Sequence, residues 1–297
     1  MTVSATDNIL ILSQPEWTHQ RNRHHQRLRP VVEPHLHRSS HKIRHPVIDF
    51  LFTYYPFSPA QLMRWTPGLG VALAGNPPDE LLALPESIHD QRGWRLDPQR
   101  LTSKRLDAIR RDLDLLRAID TRPPRFGCFG LHEWAMVYRT PDLRHPQLPL
   151  RLSPQQTARV VEELPLACSH YDAFRFFTPA ARPLNRLQPA FDNRLHLEQS
   201  GCLHANMDLY KWAQRAHPWI HSDLIADTFE LALAIREVDM RASPYDVTSL
   251  GLEPIPIETP EGRRLYTELQ QTFTHRAHPL RQRLINALEI LSPNPES

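Results

Sequence analysis

The segment 222–241, SDLIADTFELALAIREVDMR, is so apolar that any fold containing it has to bury it. With the 3.6-residue period of an α-helix, its apolar side chains cover well over half of the circumference. The remaining narrow stripe carries Asp223, Asp227, Glu230, Glu237 and Arg241. A helix of this kind packs on several sides at once, which indicates a core made of helices.

Other segments repeat the helical pattern and so define the fold class. Residues 101–119 and 260–291 place leucine and isoleucine at helical spacing, and 204–216 is a further helical segment. Residues 153–164 begin with Ser-Pro, a common start of a helix. Strand-type alternation is rare along the chain. The sequence therefore predicts a mainly α protein, with at least half of its residues in helices and no sheet larger than three strands.

Glycine and proline usage narrows the class of chemistry. The chain of 297 residues has 29 prolines but only 9 glycines, and it contains neither G-x-G-x-x-G nor a Walker A motif. The usual nucleotide-binding loops are therefore not expected. A net charge of +2 also argues against general nucleic-acid binding over the whole surface.

The N-terminal part differs in composition from the rest of the chain. Residues 14–45 are rich in arginine and histidine, so we expect a basic His-rich arm over 1–44 and one globular helical domain over 45–297. The arm either is simply solvated or contacts an anion or nucleic acid. Met1 to Leu12 lack a secretory signal, no run approaches the ~18 apolar residues of a membrane span, and three cysteines cannot all pair. We expect a cytoplasmic protein with free thiols and no membrane partner.

Histidine and carboxylate residues recur one helical turn apart. His45 precedes Asp49 by four residues, and His204 precedes Asp208 by the same spacing. At this spacing both side chains project from one face of a helix. The arrangement fits two ligands of one metal and equally fits a plain histidine–aspartate hydrogen bond.

Each cysteine lies shortly before a histidine, and each pair is followed by further polar or aromatic groups. This clustering is more typical of a functional site than of a core. No C-x-x-C is present, so the thiols are interpreted as small buried side chains beside functional histidines. The three motifs are Cys128 with His132 and Glu133, Cys168 with His170 and Asp172, and Cys202 with His204 and Asp208.

The acidic stripe of 222–241 has two interpretations. Four acids without an interleaved lysine repel one another, which a metal ion or an arginine would relieve. Either the stripe is the wet face of the helix, or it directs carboxylates into an internal site. In the second case Glu230 or Glu237 approaches a bound metal.

Several longer motifs resemble a bacterial family whose members are usually labelled 3-methyladenine DNA glycosylase. The likeness runs from about Arg44 to the end and rests on HPVIDFLFTYY, FGCFGLHEWAMVYR, CSHYDAFRFFTPAARPLN, GCLHANMDLYKWA and DTFELALAIREVDMRASPYD. The resemblance implies hydrolysis of the N-glycosidic bond to a damaged, cationic purine. It brings no assigned catalytic residue to this chain.

The leading hypothesis from the residues is a metal-dependent enzyme of the non-haem iron, manganese or zinc type, acting on an unidentified small molecule. Mixed imidazole and carboxylate ligands suit these metals. The candidate catalytic residues are His132, Glu133 and Asp172. The candidate metal ligands are His45, Asp49, His170, His204, Asp208, Glu230 and Glu237.

Two alternatives remain open at this stage. The first is a metal-free glycosylase that acts on a damaged DNA base such as 3-methyladenine, with Glu133 or Asp172 as its carboxylate. The second is a non-catalytic binding protein that uses the basic arm. The aromatic residues available to stack on a base are Trp134, Tyr138, Phe174, Phe176, Phe177 and Trp212.

Overall fold

A computed structural model describes residues 9–293, and 56% of it is helical. This confirms the mainly α class. The described residues form two compact units, a first from 9–113, 210–230 and 283–293 and a second from 114–209 and 231–282. The helices are α1 Gln14–Ser40, α2 Ile48–Thr53, α3 Pro59–Met63, α4 Asp79–Leu82, α5 Ser103–Thr121, α6 Leu131–Ala135, α7 Pro154–Glu163, α8 Tyr171–Phe174, α9 Arg194–Leu197, α10 Leu203–Met207, α11 Leu209–Ala216, α12 Ser222–Arg241 and α13 Pro260–Leu291.

A small sheet in the first unit has four strands, so the predicted limit of three strands is wrong. The strand order is β1-β2-β4-β3, with β1 parallel to β2 and the other pairs antiparallel. Gly93 permits the turn into β4, because it has a φ of +99° and a Cβ there would lie 2.2 Å from the Leu73 carbonyl oxygen. The strands are β1 Leu10–Leu12, β2 Val71–Leu73, β3 Ser87–Asp90 and β4 Gly93–Leu96.

The basic N-terminal stretch is a helix of the first unit and not a solvated arm. Trp17, His24 and Leu28 of α1 are buried, although α1 contains many charged residues. Trp17 donates its indole N–H to the Ala74 carbonyl at 2.9 Å, and His24 Nε2 lies 2.9 Å from the Leu62 carbonyl oxygen. The predicted arm is therefore wrong over α1, and its residues 1–8 lie outside the described part.

Arginines neutralise the acidic stripe at the start of α12. Asp223 pairs with Arg23 at 2.7 Å, and Asp227 pairs with Arg27 at 2.6 Å. Arg27 also binds both carboxylate oxygens of Glu230. The counter-charge that this stripe requires is supplied by α1, so the prediction that Glu230 approaches a metal is wrong.

Replacing Arg27 with methionine should destabilise the protein by about 1 kcal/mol, because two carboxylates lose one bidentate partner while staying partly solvated. The side chains of Arg27, Asp227 and Glu230 are 29%, 21% and 44% exposed, which limits the effect. Urea unfolding measures it. Arg29→Met is the control, since Arg29 forms an exposed pair with Glu33 in the same helix. Equal losses in both variants would contradict the stabilising role of Arg27.

Aromatic side chains form the centre of the first unit. Tyr210 contacts Tyr55 and Phe229 with ring centroids 5.3 and 5.2 Å apart, and all three are buried.

Within residues 9–293, no helix is both long enough and apolar enough to cross a membrane.

Candidate metal centre

Three short helices of the second unit hold the histidines of the Cys–His motifs. His132 is the second residue of α6, His204 is the second residue of α10, and His170 caps the start of α8. A tight turn before α6 depends on Gly130, which has a φ of +72° and lies close to Tyr266. His132 and His204 therefore lie in the first turn of their helices, and His170 lies directly before its helix.

His132, His204 and Asp239 form a compact buried cluster. His132 Nε2 lies 2.8 Å from Asp239 Oδ1, and His204 Nε2 lies 4.0 Å from Asp239 Oδ2. The two imidazole rings are perpendicular, with centroids 4.3 Å apart. One ligand atom from each residue lies within 4.8 Å of the others, so the three side chains can hold one metal ion.

The short contact between His132 and Asp239 lacks the geometry of a hydrogen bond. Among the described residues, neither His132 Nε2 nor Asp239 Oδ1 has a hydrogen-bond partner, although both atoms are buried. A separation of 2.8 Å is also the ordinary length of a charge-assisted N–H···O bond. The absence of hydrogen-bond geometry, and not the distance, is therefore what distinguishes this contact from a plain ion pair.

Arg236 holds the other oxygen of Asp239. Its NH1 group donates to Asp239 Oδ2 at 2.6 Å and to Glu133 Oε1 at 2.8 Å, and its NH2 group lies 3.3 Å from His145 Nε2. Oδ2 is thus occupied, and Oδ1 is turned toward His132. An outer partner of this kind fixes the orientation of a metal-binding carboxylate.

The electrostatics of the cluster favour a cation next to Asp239. Burial lowers the pKa of His132, but the charge of Asp239 outweighs it and the net pKa lies well above the usual value. Burial raises the pKa of Asp239, yet the charge of His132 makes the net shift downward. Burial, assisted by the nearby His132, lowers the pKa of His204 to about 3, so His204 is a neutral imidazole.

A second histidine–carboxylate group adjoins the cluster through His204. The His170 and His204 ring centroids are 5.5 Å apart, and His170 Nε2 lies 3.3 Å from Asp208 Oδ2 and 3.9 Å from Glu198 Oε2. His170 Nδ1 accepts the backbone N–H of Ala173 at 3.3 Å, which leaves Nε2 directed toward the acids. Burial lowers the pKa of His170, but the charges of Glu198 and Asp208 make the net shift upward.

All three cysteines are free thiols beside this cluster. Cys128 Sγ lies 3.9 Å from His132 Nδ1, on the ring edge away from Nε2. Cys168 Sγ approaches the His170 carbonyl oxygen at 3.7 Å. Among the described residues, the group that could hold a metal ion contains none of these thiols.

Several predicted site residues are brought together in the second unit. His132 contacts His204, His204 lies beside His170, and His170 lies beside Asp208. Glu133 joins the group through Arg236 and is buried. Asp172 contributes its charge to the pKa of His170 and contacts Arg175 at 3.3 Å.

The other predicted ligands are placed elsewhere, and their assignment as metal ligands is wrong. Asp49 accepts the backbone N–H of His45 at 2.7 Å and contacts His35 Nδ1 at 3.0 Å, so the His45–Asp49 pair is a helix-start contact. His45 Nδ1 faces the Ile48 backbone N–H at 3.4 Å. Glu237 is 48% exposed and lies 3.9 Å from Arg241.

Most of the aromatic residues predicted to stack on a base are buried core residues. Trp134 is fully buried and donates its indole N–H to the Ala242 carbonyl at 2.9 Å. Phe176 lies under the guanidinium groups of Arg144 and Arg175, 4.1 and 4.4 Å from its ring centroid. Tyr138, Phe174, Phe177 and Trp212 are buried core residues.

The sequence interpretation missed Asp239 and Arg236. Each of these residues is only 1% exposed to solvent. A signal for both was present. At about 100° per residue they project from α12 on the side opposite the acidic stripe, among apolar neighbours. Charged residues on the apolar face of a helix are rare, because a buried charge needs a paired partner.

No protein-family model matches the chain, and neither the curated proteins nor the solved structures contain a significant match to it. The functional assignment therefore depends on the geometry of the second unit.

Proposed function

We propose that this protein is a metal-dependent enzyme in which His132, His204 and Asp239 hold one divalent transition metal. Two imidazoles and one carboxylate suit iron, manganese or zinc. Such a metal supplies a Lewis acid or an activated water to a bound substrate.

The observation that carries the proposal is the pair of buried, unpartnered atoms His132 Nε2 and Asp239 Oδ1. They lie 2.8 Å apart without hydrogen-bond geometry to each other or to other residues of 9–293. Buried polar atoms are nearly always satisfied, and an unsatisfied pair in a native protein calls for a bound ion or water. A cation between Nε2 and Oδ1 satisfies both atoms at once.

Three protein ligands favour a catalytic metal over a structural one. Structural zinc sites are closed by four protein ligands, whereas catalytic sites keep at least one position for water or substrate. The His204 side chain is 12% exposed, compared with 2% for His132 and 1% for Asp239. The open position is expected on the side of His204.

The competing explanation is a plain buried ion pair between protonated His132 and Asp239. It would account for the charges, but an imidazolium N–H directed at Oδ1 would form a regular hydrogen bond at 2.8 Å. It also gives no role to His204 beside them.

Metal analysis of the untagged protein, purified without chelator, tests the proposal. We expect about one equivalent of iron, manganese or zinc per chain, and His132→Ala and His204→Ala should lose it because each removes one of three ligands. His196→Ala is the matched control, since His196 is an exposed histidine of the same unit. Cobalt(II) titration of the stripped wild-type protein, read by its visible absorption, gives the stoichiometry even if a variant fails to fold.

A wild-type protein that contains no metal and takes up no cobalt would overturn the proposal and favour the ion pair. The next experiment would then be release of 3-methyladenine from alkylated DNA in the presence of EDTA. Release under these conditions would support the metal-free glycosylase hypothesis, and DNA binding without release would support a binding protein.

A further inference from the structure

The second unit contains a cavity of about 280 Å³ next to the histidine cluster. Its walls include Cys128, Ser169 and Cys202, each of which lies a few residues before one of the three clustered histidines. Cys128 is the direct link, because its Sγ lies 3.9 Å from His132 Nδ1. The volume is near the lower end of the range for small-molecule sites.

The charged residues that line the cavity are both arginines. Arg125 and Arg186 contribute to its walls, and no aspartate or glutamate does. Across residues 9–293, neither guanidinium has an ion pair or a hydrogen bond, whereas most other arginines of the second unit pair with acids or carbonyls. Both arginines are exposed. Two positive charges without an acidic partner at the rim of one cavity produce a positive potential that attracts an anion, although water and salt screen it.

A buried amide fixes the backbone that carries Arg125. Gln199 Oε1 accepts the backbone N–H groups of Arg125 at 2.8 Å and of Gly201 at 2.7 Å, and its Nε2 donates to the Arg125 carbonyl at 3.2 Å. Gly201 is required for this close approach, because a Cβ there would lie 2.7 Å from the Arg125 carbonyl oxygen. Arg125 therefore extends from a rigid edge of the cavity.

A second buried amide fixes the segment that carries Arg186. Asn185 Oδ1 accepts the Cys168 backbone N–H at 2.8 Å, and its Nδ2 donates to the carbonyl groups of Cys168 and Leu187 at 2.9 and 2.6 Å. The Arg186 backbone N–H donates to the Leu166 carbonyl at 2.9 Å. Both arginines therefore project from backbone segments that are held in place by buried, hydrogen-bonded side-chain amides. This is the arrangement of a preformed binding site.

We infer that this cavity binds a small anion, a molecule with a phosphate or carboxylate group, through Arg125 and Arg186. Guanidinium groups match both anions geometrically. The inference deepens the proposed function, because the anion would be the substrate presented beside the metal. Anion binding itself does not require the metal, so the two proposals fail separately.

Alkylation of Cys128 with two reagents of nearly equal size tests the inference. Iodoacetate is an anion and iodoacetamide is neutral, and in both reactions the thiolate displaces iodide to form an S–C bond. Cys128 is the least buried of the three thiols, and peptide mass spectrometry reads its modification separately. We expect the rate ratio of iodoacetate to iodoacetamide at Cys128 to fall about tenfold in the Arg125→Gln/Arg186→Gln double variant, since a charge-assisted contact is lost.

The ratio cancels any general change in thiol reactivity. Arg159→Gln, which removes an exposed arginine of the same unit outside the cavity, should leave it at the wild-type value. Sodium phosphate and sodium acetate, added in turn, should slow the iodoacetate reaction, and the stronger competitor identifies the preferred group. An unchanged ratio in the double variant would overturn the inference. Competition by duplex DNA alone would replace the small anion with a nucleic-acid backbone.

Repeating the experiment with Asp239→Asn separates the two proposals. Charge selectivity that persists in a metal-free protein supports the anion cavity and leaves the metal site to be judged by metal analysis. A metal-loaded wild-type protein without charge selectivity supports the metal centre and refutes the anion cavity.

Discussion

Removing the metal with a chelator should lower the melting temperature of the wild-type protein by about 10 °C. A metal held at about 1,000 times its dissociation constant stabilises the folded state by about 4 kcal/mol, because it does not bind the unfolded chain. For chains of somewhat smaller size, each 1 kcal/mol moves the melting temperature by about 2–4 °C. Differential scanning calorimetry with and without chelator measures the shift.

Asp239→Asn should abolish this dependence on metal. The amide keeps the shape of the carboxylate but lacks its charge, so the variant should bind no metal and melt at one temperature with or without chelator. Asp142→Asn, at an exposed aspartate of the same unit, should keep the wild-type response. A wild-type protein whose melting temperature ignores the chelator would contradict the metal centre.

Helices with a long apolar repeat were predictable because the pattern is local. The predicted segments 222–241 and 260–291 match α12 and α13 to the residue. Ser153 caps α7 as expected and accepts the Gln156 backbone N–H at 3.3 Å. These features depend on neighbours within one or two turns, which a single sequence contains.

Features that depend on distant pairing were not predictable in this way. Strand β1 has three residues and pairs with β2 about sixty positions later, which is too short a stretch for alternation to be visible. Arg27 pairs with Asp227 across 200 positions of sequence, so the counter-charge of the acidic stripe is not visible within the α12 segment itself. The inference that the acids needed a cation was sound, but the cation is an arginine.

The candidate site was predicted in part. Local clustering with cysteine singled out His132, His170 and His204, and the structure brings these together. Their carboxylate partner Asp239 was not predicted, because it lies outside the Cys–His motifs and on the apolar side of α12. Burial and not abundance distinguishes Asp239, and burial follows from the position of the residue around the helix.

Arg236→Met should destabilise the protein by about 3–5 kcal/mol, because it leaves the buried Glu133 without its counter-charge and removes one of the cations beside the buried Asp239. Asp239 and Glu133 have side chains only 1% and 5% exposed, so water cannot replace the guanidinium without local opening. Chemical denaturation of the metal-free protein isolates this contribution. Arg241→Met is the control one turn away, since Arg241 is 25% exposed and should cost well under 1 kcal/mol, as surface pairs do.

If Arg236 has a purely structural role, its replacement changes only the free energy of unfolding. If it positions Asp239, its replacement also weakens the affinity for the metal. Arg236 fixes Asp239 Oδ2 at 2.6 Å and thereby directs Oδ1 to the ligand position. Loss of such an outer partner typically weakens metal affinity by about 10–100-fold. Arg236→Lys restores the charge without the fork that binds Asp239 and Glu133 together, so it should recover much of the stability but less of the affinity. Cobalt(II) titration of both variants measures this difference, and wild-type affinity in a destabilised Arg236→Met protein would limit Arg236 to neutralising charge.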